Sequence, residues 1–367
     1  MSVATLPEAR RRPFLAPPVP IIAIAAIAVF VLFVGATLAV AGSTLGFDFL
    51  AYHAAAVRVL HGQPLFDTSF TAAGSFGLFY YPPTFLPLIL PFGLLEPTVA
   101  TWTWTAILLG AFALGIAVLP VSIRTRWLIV LLAGLSWPFV YAVKLGQVGP
   151  LLFLAFAIGW RTLDRPLPLG VSTAAGTAIT LQPGVVFVWA LLTRRWRAVV
   201  IGLAVLVALA VAATVLSGAR IWPDFITLAQ RVSNPITLEH NLTPGAVLYR
   251  LGVPAATATL AQLVAMALVV VAVVYASLRR ASDVGYLVAV VASQLLSPIL
   301  WDHYALLLLL PVAWLLERRR WWAALIPLAT SVPLIGITPD VVYPLAFVAA
   351  GIALLTGMKG GSGKITA

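Results

Sequence analysis

The chain has 367 residues, of which 62% are hydrophobic and only 9% are charged, and its formal net charge is +11. Soluble domains carry about 25% charged residues, so this composition excludes a soluble globular protein and predicts an all-α polytopic membrane protein. The chain contains no cysteine, which excludes disulfides, thiolate metal sites and cysteine nucleophiles.

The sequence predicts about twelve membrane-spanning helices. The clearest apolar runs cover residues 19–41, 98–119, 198–216, 256–278 and 321–332. Clusters of Arg and Lys separate the runs, and such clusters mark cytoplasmic segments. The net positive charge is therefore explained by the orientation of the helices in the membrane and does not indicate binding to a nucleic acid. We expect cytoplasmic tails at 1–18 and 358–367 and a single transmembrane domain at 19–357, with a first outer loop at 42–80 and a second at 217–250.

The first outer loop is expected to contain a short helix. Residues 48–60 are rich in helix formers and contain no Gly or Pro, and Gly62 follows to end the helix. We expect this helix to lie along the membrane surface. Asp48 falls in its first turn, where the helix dipole favours an ionised carboxylate, and Tyr52 lies one turn further on the same face.

The middle of the chain leaves two threadings open. The next span is expected to begin at Tyr81-Pro82-Pro83. In the favoured threading, 168–193 is one kinked span broken at Gln182-Pro183, and Lys144 is cytoplasmic. Four arginines then fall outside, against the orientation rule: Arg124, Arg126, Arg161 and Arg165. If 168–193 is instead a hairpin, the segment 144–147 moves to the other side of the membrane.

Polar residues on the expected outer side are few. They are Asp48, Tyr52 and His53 in the first loop, Glu239, His240 and Asn241 in the second, and Asp302, His303 and Tyr304 in a third at 298–303. A carboxylate at a bilayer edge is costly unless it faces a cavity or water, so Asp48 is the leading functional residue. His53, His61 and Asp67 are expected at the surface. Without a metal-binding motif or a Gly-rich phosphate loop, we expect no cofactor.

One prominent carboxylate suits a particular chemistry. When a sugar leaves from a phosphate, the leaving group is a weak base and needs no general acid. A single base for the acceptor hydroxyl then suffices, whereas glycoside hydrolysis needs two carboxylates. The phosphate needs an Arg or Lys partner. Arg58, Arg231 and Arg250 are available outside, and Lys144 joins them in the alternative threading.

Several motifs, in order from residue 46 to about 320, resemble glycosyltransferase family 87 of the GT-C superfamily. They are Asp48-Phe49-x-x-Tyr52, Tyr81-Pro82-Pro83, Gly146-Gln147, Asn241-Leu242 with Tyr249-Arg250-Leu251, and Ser297-Pro298-x-x-Trp301-Asp302-His303. The resemblance implies a GT-C-type bundle in which 19–357 is the catalytic domain. It also implies inverting transfer of mannose, or else arabinofuranose, from a polyprenyl phosphate to a glycolipid or polysaccharide. The reaction would serve bacterial cell-envelope synthesis at the outer face of the cytoplasmic membrane.

The resemblance also implies roles for individual residues. Asp48 matches the family's general base, and His303 belongs to its C-terminal Trp-x-His element. Two positions depart from the family's pattern: Gln182-Pro183 stands where a Lys-Pro pair is expected, and Tyr304 stands where a second histidine is common. The expected substrate contacts are Tyr52, Tyr81, Lys144, Gln147, His240, Asn241, Arg250, Trp301 and Asp302.

Alternatives stay open at this point. A polytopic lipid or glycan transporter or flippase would show internal repeats with broken helices in matching halves, and Gln182-Pro183 has no such counterpart. The long spans also lack the buried charges of an ion-coupled transporter. A non-enzymatic scaffold would leave the outer acids replaceable. Asp48 would then be only a helix cap, and His303 only an anchor in an aromatic belt.

Overall fold

The computed structural model describes residues 18–66, 78–232 and 236–357, without the side chains of residues 231 and 232. All regular structure within these ranges is helical. The α-helices are α1 Val19–Ala41, α2 Phe47–Leu60, α3 Leu86–Ile89, α4 Pro97–Val118, α5 Ile123–Gly134, α6 Trp137–Leu145, α7 Gly149–Arg161, α8 Pro166–Ile179, α9 Val185–Leu192, α10 Trp196–Ser217, α11 Ile221–Val232, α12 Pro244–Arg250, α13 Ala255–Arg279, α14 Ser282–Leu295, α15 Leu309–Glu317, α16 Leu325–Ala329 and α17 Val342–Thr356. Residues 1–17 of the expected tail at 1–18, the whole expected tail at 358–367, and Asp67 lie outside the described residues.

Four helices among the described residues are long and apolar enough to cross a membrane: α1, α4, α10 and α13. They match four of the five predicted apolar runs. A fifth span is possible if α5 and α6, which meet at a 67° bend, are taken together. The predicted run at 321–332 is wrong as a continuous helix, because Pro327 interrupts it and Pro333 follows directly, and it forms short turns around α16. Helix length alone therefore does not establish twelve spans.

The centre of the molecule is formed by α14 and α15. All residues of α14 from Val284 to Leu295 are buried, as are those of α15 from Leu309 to Leu316. A helix that is apolar on all sides belongs inside a bundle. By contrast, α1, α10 and α13 expose most of their apolar side chains, as expected for helices that face lipid.

One end of the bundle, which we call the arginine end, gathers basic residues from several helices. Nη1 of Arg161 donates to the Val118 carbonyl at 3.4 Å. Arg195 Nη2 lies 3.2 Å from Asp164 Oδ1 and 3.0 Å from Ser282 Oγ. Arg318 Nη2 lies 3.2 Å from Asp283 Oδ2. These bonds join the ends of α4, α7 and α15 to the starts of α8, α10 and α14.

The opposite ends of these helices surround a cavity, and we call this the cavity end. The α8–α9 turn lies there, with Gln182 in the cavity wall, while Arg195 at the far end of α9 bonds to the Leu163 carbonyl at 3.0 Å. The segment 168–193 is therefore a hairpin, and the single kinked span of the favoured threading is wrong. Lys144 consequently lies at the cavity end.

The helix predicted at 48–60 forms as α2, but one of its faces is buried. His53, expected at the surface, is 7% exposed and hydrogen-bonds through Nε2 to the Leu95 carbonyl at 3.0 Å. The span expected from Tyr81 is instead a series of short turns at 83–94, broken by prolines. Both ends of this segment contact α2, since the Phe85 ring centroid lies 5.7 Å from that of Tyr52 and the Phe92 ring centroid lies 5.6 Å from that of Phe49. The segment therefore does not cross the bundle.

Candidate active site

A cavity of about 1030 Å³ opens at the cavity end. It brings together segments from Thr44 to Asp340, near the two ends of the described chain. Of the eleven residues predicted for the site, ten line this cavity: Asp48, Tyr52, Tyr81, Lys144, Gln147, His240, Arg250, Trp301, Asp302 and His303.

Asn241 is the exception, and its side chain is used within the fold. It is fully buried, and its Oδ1 accepts from the Leu300 amide at 2.9 Å and the Thr243 amide at 3.0 Å. Its Nδ2 donates to the Pro298 carbonyl at 3.1 Å. Asn241 therefore ties the second outer loop to the segment that leads to His303.

The start of α2 is fixed against the end of α6. Gly46 adopts the left-handed conformation that ends the preceding turn, and its amide donates to the Lys144 carbonyl at 2.8 Å. The Trp104 indole donates to the Gly146 carbonyl at 2.7 Å. These bonds place Asp48, in the first turn of α2, opposite the residue that follows Gly146.

That residue, Gln147, holds the Asp48 carboxylate. Its Nε2 donates to Asp48 Oδ2 at 2.5 Å, and its Oε1 accepts from the Tyr81 hydroxyl at 2.9 Å. Tyr52 donates to Tyr81 Oη at 2.6 Å. Within the described residues, no hydrogen bond engages Oδ1, so this second oxygen of Asp48 is left for a ligand in the cavity.

Burial dominates the electrostatics of Asp48. It raises the pKa of the carboxyl group, and the nearby charge of Asp302 acts in the same direction. The neighbouring His303 and the bond from Gln147 lower the pKa but do not cancel the effect of burial. The expected effect of the helix dipole is therefore outweighed, and Asp48 is a stronger base than an exposed aspartate.

Asp302 differs from Asp48, because its pKa lies below the usual value. Burial raises this pKa, but the His303 side chain beside it and the hydrogen bonds it accepts outweigh burial. The indole of Trp137 donates to Oδ2 at 3.1 Å, and the His303 amide donates to Oδ1 at 2.8 Å. Asp302 therefore stays ionised close to Asp48.

His303 is 4% exposed, and neither ring nitrogen has a hydrogen-bond partner within the described residues. Its Nδ1 lies 3.6 Å from Asp302 Oδ1, beyond ordinary hydrogen-bond length. The ring packs against Tyr304, with centroids 4.9 Å apart. A buried unpaired imidazole is uncommon, and the His303 side chain also contributes to the cavity wall.

The cavity lining contains two cationic side chains, Lys144 and Arg250. Arg250 Nη2 is paired with Asp340 Oδ1 at 2.5 Å. No carboxylate in the described ranges lies within 4 Å of Lys144. Of the other expected phosphate ligands, Arg58 does not line the cavity, and it donates to the Leu65 carbonyl at 2.8 Å. The side chain of Arg231 is outside the described part of the structure.

Sequence reasoning missed Asp340 and Trp137. Asp340 lies in the short segment before α17, and an isolated acid in that segment was the sequence signal that could have pointed to it. No sequence signal pointed to Trp137, because its partner Asp302 lies 165 residues away in the sequence.

The model of glycosyltransferase family 87 matches residues 79–300, more than half of the chain. The chain belongs to glycosyltransferase family 87. No curated protein and no solved structure matches it. Membership of family 87 identifies a glycosyltransferase that acts on a sugar donor and an acceptor, and the apolar helices identify a membrane protein. The matched range includes Tyr81, Gln147 and Arg250, whereas Asp48 and His303 lie outside it.

Proposed function

We propose that this chain is an inverting glycosyltransferase that moves a sugar from a polyprenyl phosphate to a glycolipid or polysaccharide acceptor. Mannose is the first candidate sugar and arabinofuranose the second. The observation that carries the proposal is Asp48, a partly buried carboxylate with a raised pKa, held by Gln147 in the wall of a large cavity.

The cavity has two characters, which supports a lipid-linked substrate. Its lining includes the polar side chains of Asp48, Lys144 and His303. It also includes apolar side chains, among them Val185, Phe225, Leu228, Leu242 and Ile299. A ligand with a charged head and a hydrocarbon chain complements both kinds of side chain, whereas a soluble nucleotide sugar has no group for the apolar ones.

The mechanism is a single displacement. Asp48 accepts the proton of the acceptor hydroxyl as that oxygen attacks the anomeric carbon, so the new glycosidic bond forms on the face opposite the phosphate. The bond from the anomeric carbon to the phosphate oxygen breaks, and polyprenyl phosphate leaves with the electron pair. Lys144 and His303 stabilise the phosphate, and one displacement inverts the anomeric configuration.

We also propose that the cavity end faces outside the cytoplasmic membrane of a bacterium and that the arginine end faces the cytoplasm. Twelve passes fit this arrangement. They are α1, α4, α5 with α6, α7, α8, α9, α10, α13, α14, α15 with the turn before it, the turns around α16, and α17. Both tails would then be cytoplasmic.

A lipid or glycan flippase is the rival proposal, since an amphiphilic cavity also suits transport. Membership of a glycosyltransferase family favours the enzyme. The orientation of Asp48 by Gln147 and two tyrosines also suits a catalytic base better than a transport path.

The test uses the purified protein with labelled polyprenyl-phosphate mannose or arabinose and a lipid extract as acceptor. We expect Asp48→Asn, which keeps the shape of the side chain, to lower transfer by about 10²- to 10⁴-fold. Asp224→Asn is the matched control, because Asp224 pairs with Arg220 at 3.7 Å and does not line the cavity. Full activity of Asp48→Asn would remove Asp48 as the base. A wild-type protein that transfers neither sugar would overturn the donor class.

A further inference from the structure

Arg250 is held in the cavity wall by contacts on both sides of its guanidinium group. Its Nε and Nη2 lie 3.0 and 2.5 Å from Asp340 Oδ1, and its Nη1 donates to the Asn241 carbonyl at 2.7 Å. Asn241 is itself buried and fixed by three hydrogen bonds. Arg250 therefore cannot turn toward a ligand without breaking charge-assisted bonds.

The partner of Arg250 in this ion pair, Asp340, comes from the C-terminal part of the chain. It lies 90 residues from Arg250 in the sequence and beyond the range 79–300 that matches family 87. It precedes α17, and it lines the same cavity as Arg250. The family match therefore assigns nothing to Asp340.

The ion pair changes the charge that a ligand meets. With Arg250 neutralised by Asp340, Lys144 is the lining Lys or Arg that has no carboxylate partner in the described ranges. Asp302 adds a negative charge to the same lining, and so does Asp48 when it is ionised to act as the base. A donor with one phosphate diester brings one negative charge, which Lys144 can balance. A donor with a diphosphate brings two, and the second would stay unpaired in a partly buried site, which is costly.

We propose that Asp340 is a specificity-determining residue that restricts the cavity to donors with a single phosphate, because it cancels the charge of Arg250. The inference rests on the proposed function, since it requires a lipid-linked phosphate in this cavity. It names a determinant that distinguishes lipid monophosphate sugars from lipid diphosphate sugars.

The test measures binding and so does not depend on turnover. Two synthetic lipids with the same prenyl chain and the same mannose, joined by one phosphate or by two, are titrated against the protein in nanodiscs. The wild-type protein should bind the monophosphate lipid more tightly. Asp340→Asn keeps an oxygen acceptor for Arg250 but removes the charge. It should tighten diphosphate binding about tenfold, the size of one charge-assisted contact, and change monophosphate binding by less than about threefold.

Two further variants control for structural effects. Asp340→Glu keeps the charge and should bind as the wild type does. Asp164→Asn removes a carboxylate paired with Arg195 at the arginine end, and it should leave the ratio of the two affinities unchanged. If Asp340→Asn leaves that ratio unchanged, or shifts both affinities equally, the role of Asp340 is overturned while the proposed donor class stands. If the wild type binds neither lipid, both are overturned.

Discussion

The orientation of the Gln147 amide follows from its neighbours. Its Oε1 accepts from the Tyr81 hydroxyl, so the Nε2 group must face Asp48. Tyr52 in turn donates to Tyr81. The three hydrogen bonds therefore share one direction: Tyr52 donates to Tyr81, Tyr81 to Gln147, and Gln147 to Asp48. They fix Oδ2 of Asp48, and no hydrogen bond in the described part of the structure engages Oδ1.

This chain of donors predicts a change in the pH profile of Gln147→Leu. Asp48 must be ionised to act as a base, so the rate falls as the pH falls through its pKa. The bond from Gln147 lowers that pKa, and its loss should raise the pKa further and move the acid limb to higher pH. We expect a rate about tenfold below wild type at acidic pH, since a bond to a charged group contributes roughly 1.5–3 kcal/mol.

Tyr52→Phe is the control for this profile, because it leaves the Gln147–Asp48 bond in place. Its acid limb should move less than that of Gln147→Leu. An acid limb that moves to lower pH in Gln147→Leu would show that the amide does not stabilise the ionised carboxylate.

For individual residues, the sequence predicts which side chains line the cavity, but it does not predict the hydrogen bonds between them. The four-residue spacing of Asp48 and Tyr52 predicts a shared helix face, yet the two are linked through Tyr81 and Gln147. Gln147 lies 99 residues from Asp48, and no local spacing reports such a contact. Asn241 was expected at the substrate because of its motif, whereas its bonds hold two loops together.

At the scale of the elements, the turn between α6 and α7 packs closely against α2. Gly146 has a φ of +73°, and a Cβ atom built on it would lie 2.7 Å from the Cβ of Phe49. Phe49 follows Asp48 in α2, so this contact sets the distance between the base and Gln147. A glycine is required here for both its conformation and its lack of a side chain.

We therefore expect Gly146→Ala to destabilise the protein by about 2–4 kcal/mol, from left-handed strain and overpacking together. Gly62→Ala is the matched control. Gly62 has a φ of +70° but no atom within 4 Å of its built Cβ, so it should lose only about 1 kcal/mol to strain. Thermal unfolding in detergent measures both. Equal losses in the two variants would contradict the close packing of α2 against the turn.

The helices that the sequence predicts well have no proline beyond their first turn. Runs such as 198–216 become single long helices because nothing interrupts the backbone hydrogen bonds. The stretches at 83–94 and 321–332 are also apolar, but Pro87 and Pro91 lie inside the first and Pro327 inside the second, and both form short turns. Hydropathy reports that a segment avoids water, and it does not report whether the segment crosses a bilayer.

Across the whole molecule, several helices are shorter than the roughly twenty residues that span a bilayer. The helix α7 has 13 residues, and α8 and α14 have 14 each. Their cavity-end connections lie among other helices, where protein side chains or a polar cavity can satisfy the freed backbone groups. Irregular backbone at membrane depth is tolerated only in such places. The short helices and the cavity are therefore two aspects of one arrangement.

The final prediction concerns which segments share a side of the membrane. Because the chain has no cysteine, each introduced cysteine is a unique label site. The exposed residues Asp164 and Arg197 lie at the arginine end, and Glu239 and Thr338 lie at the cavity end. In intact cells, an impermeant maleimide should label Glu239→Cys and Thr338→Cys, and it should label Asp164→Cys and Arg197→Cys only after permeabilisation.

The kinked-span threading instead places Asp164 on the same side of the membrane as Glu239, so labelling of both sites in intact cells would refute the hairpin. The reverse pattern at all four sites would keep the hairpin but place the cavity, and with it the transfer reaction, in the cytoplasm.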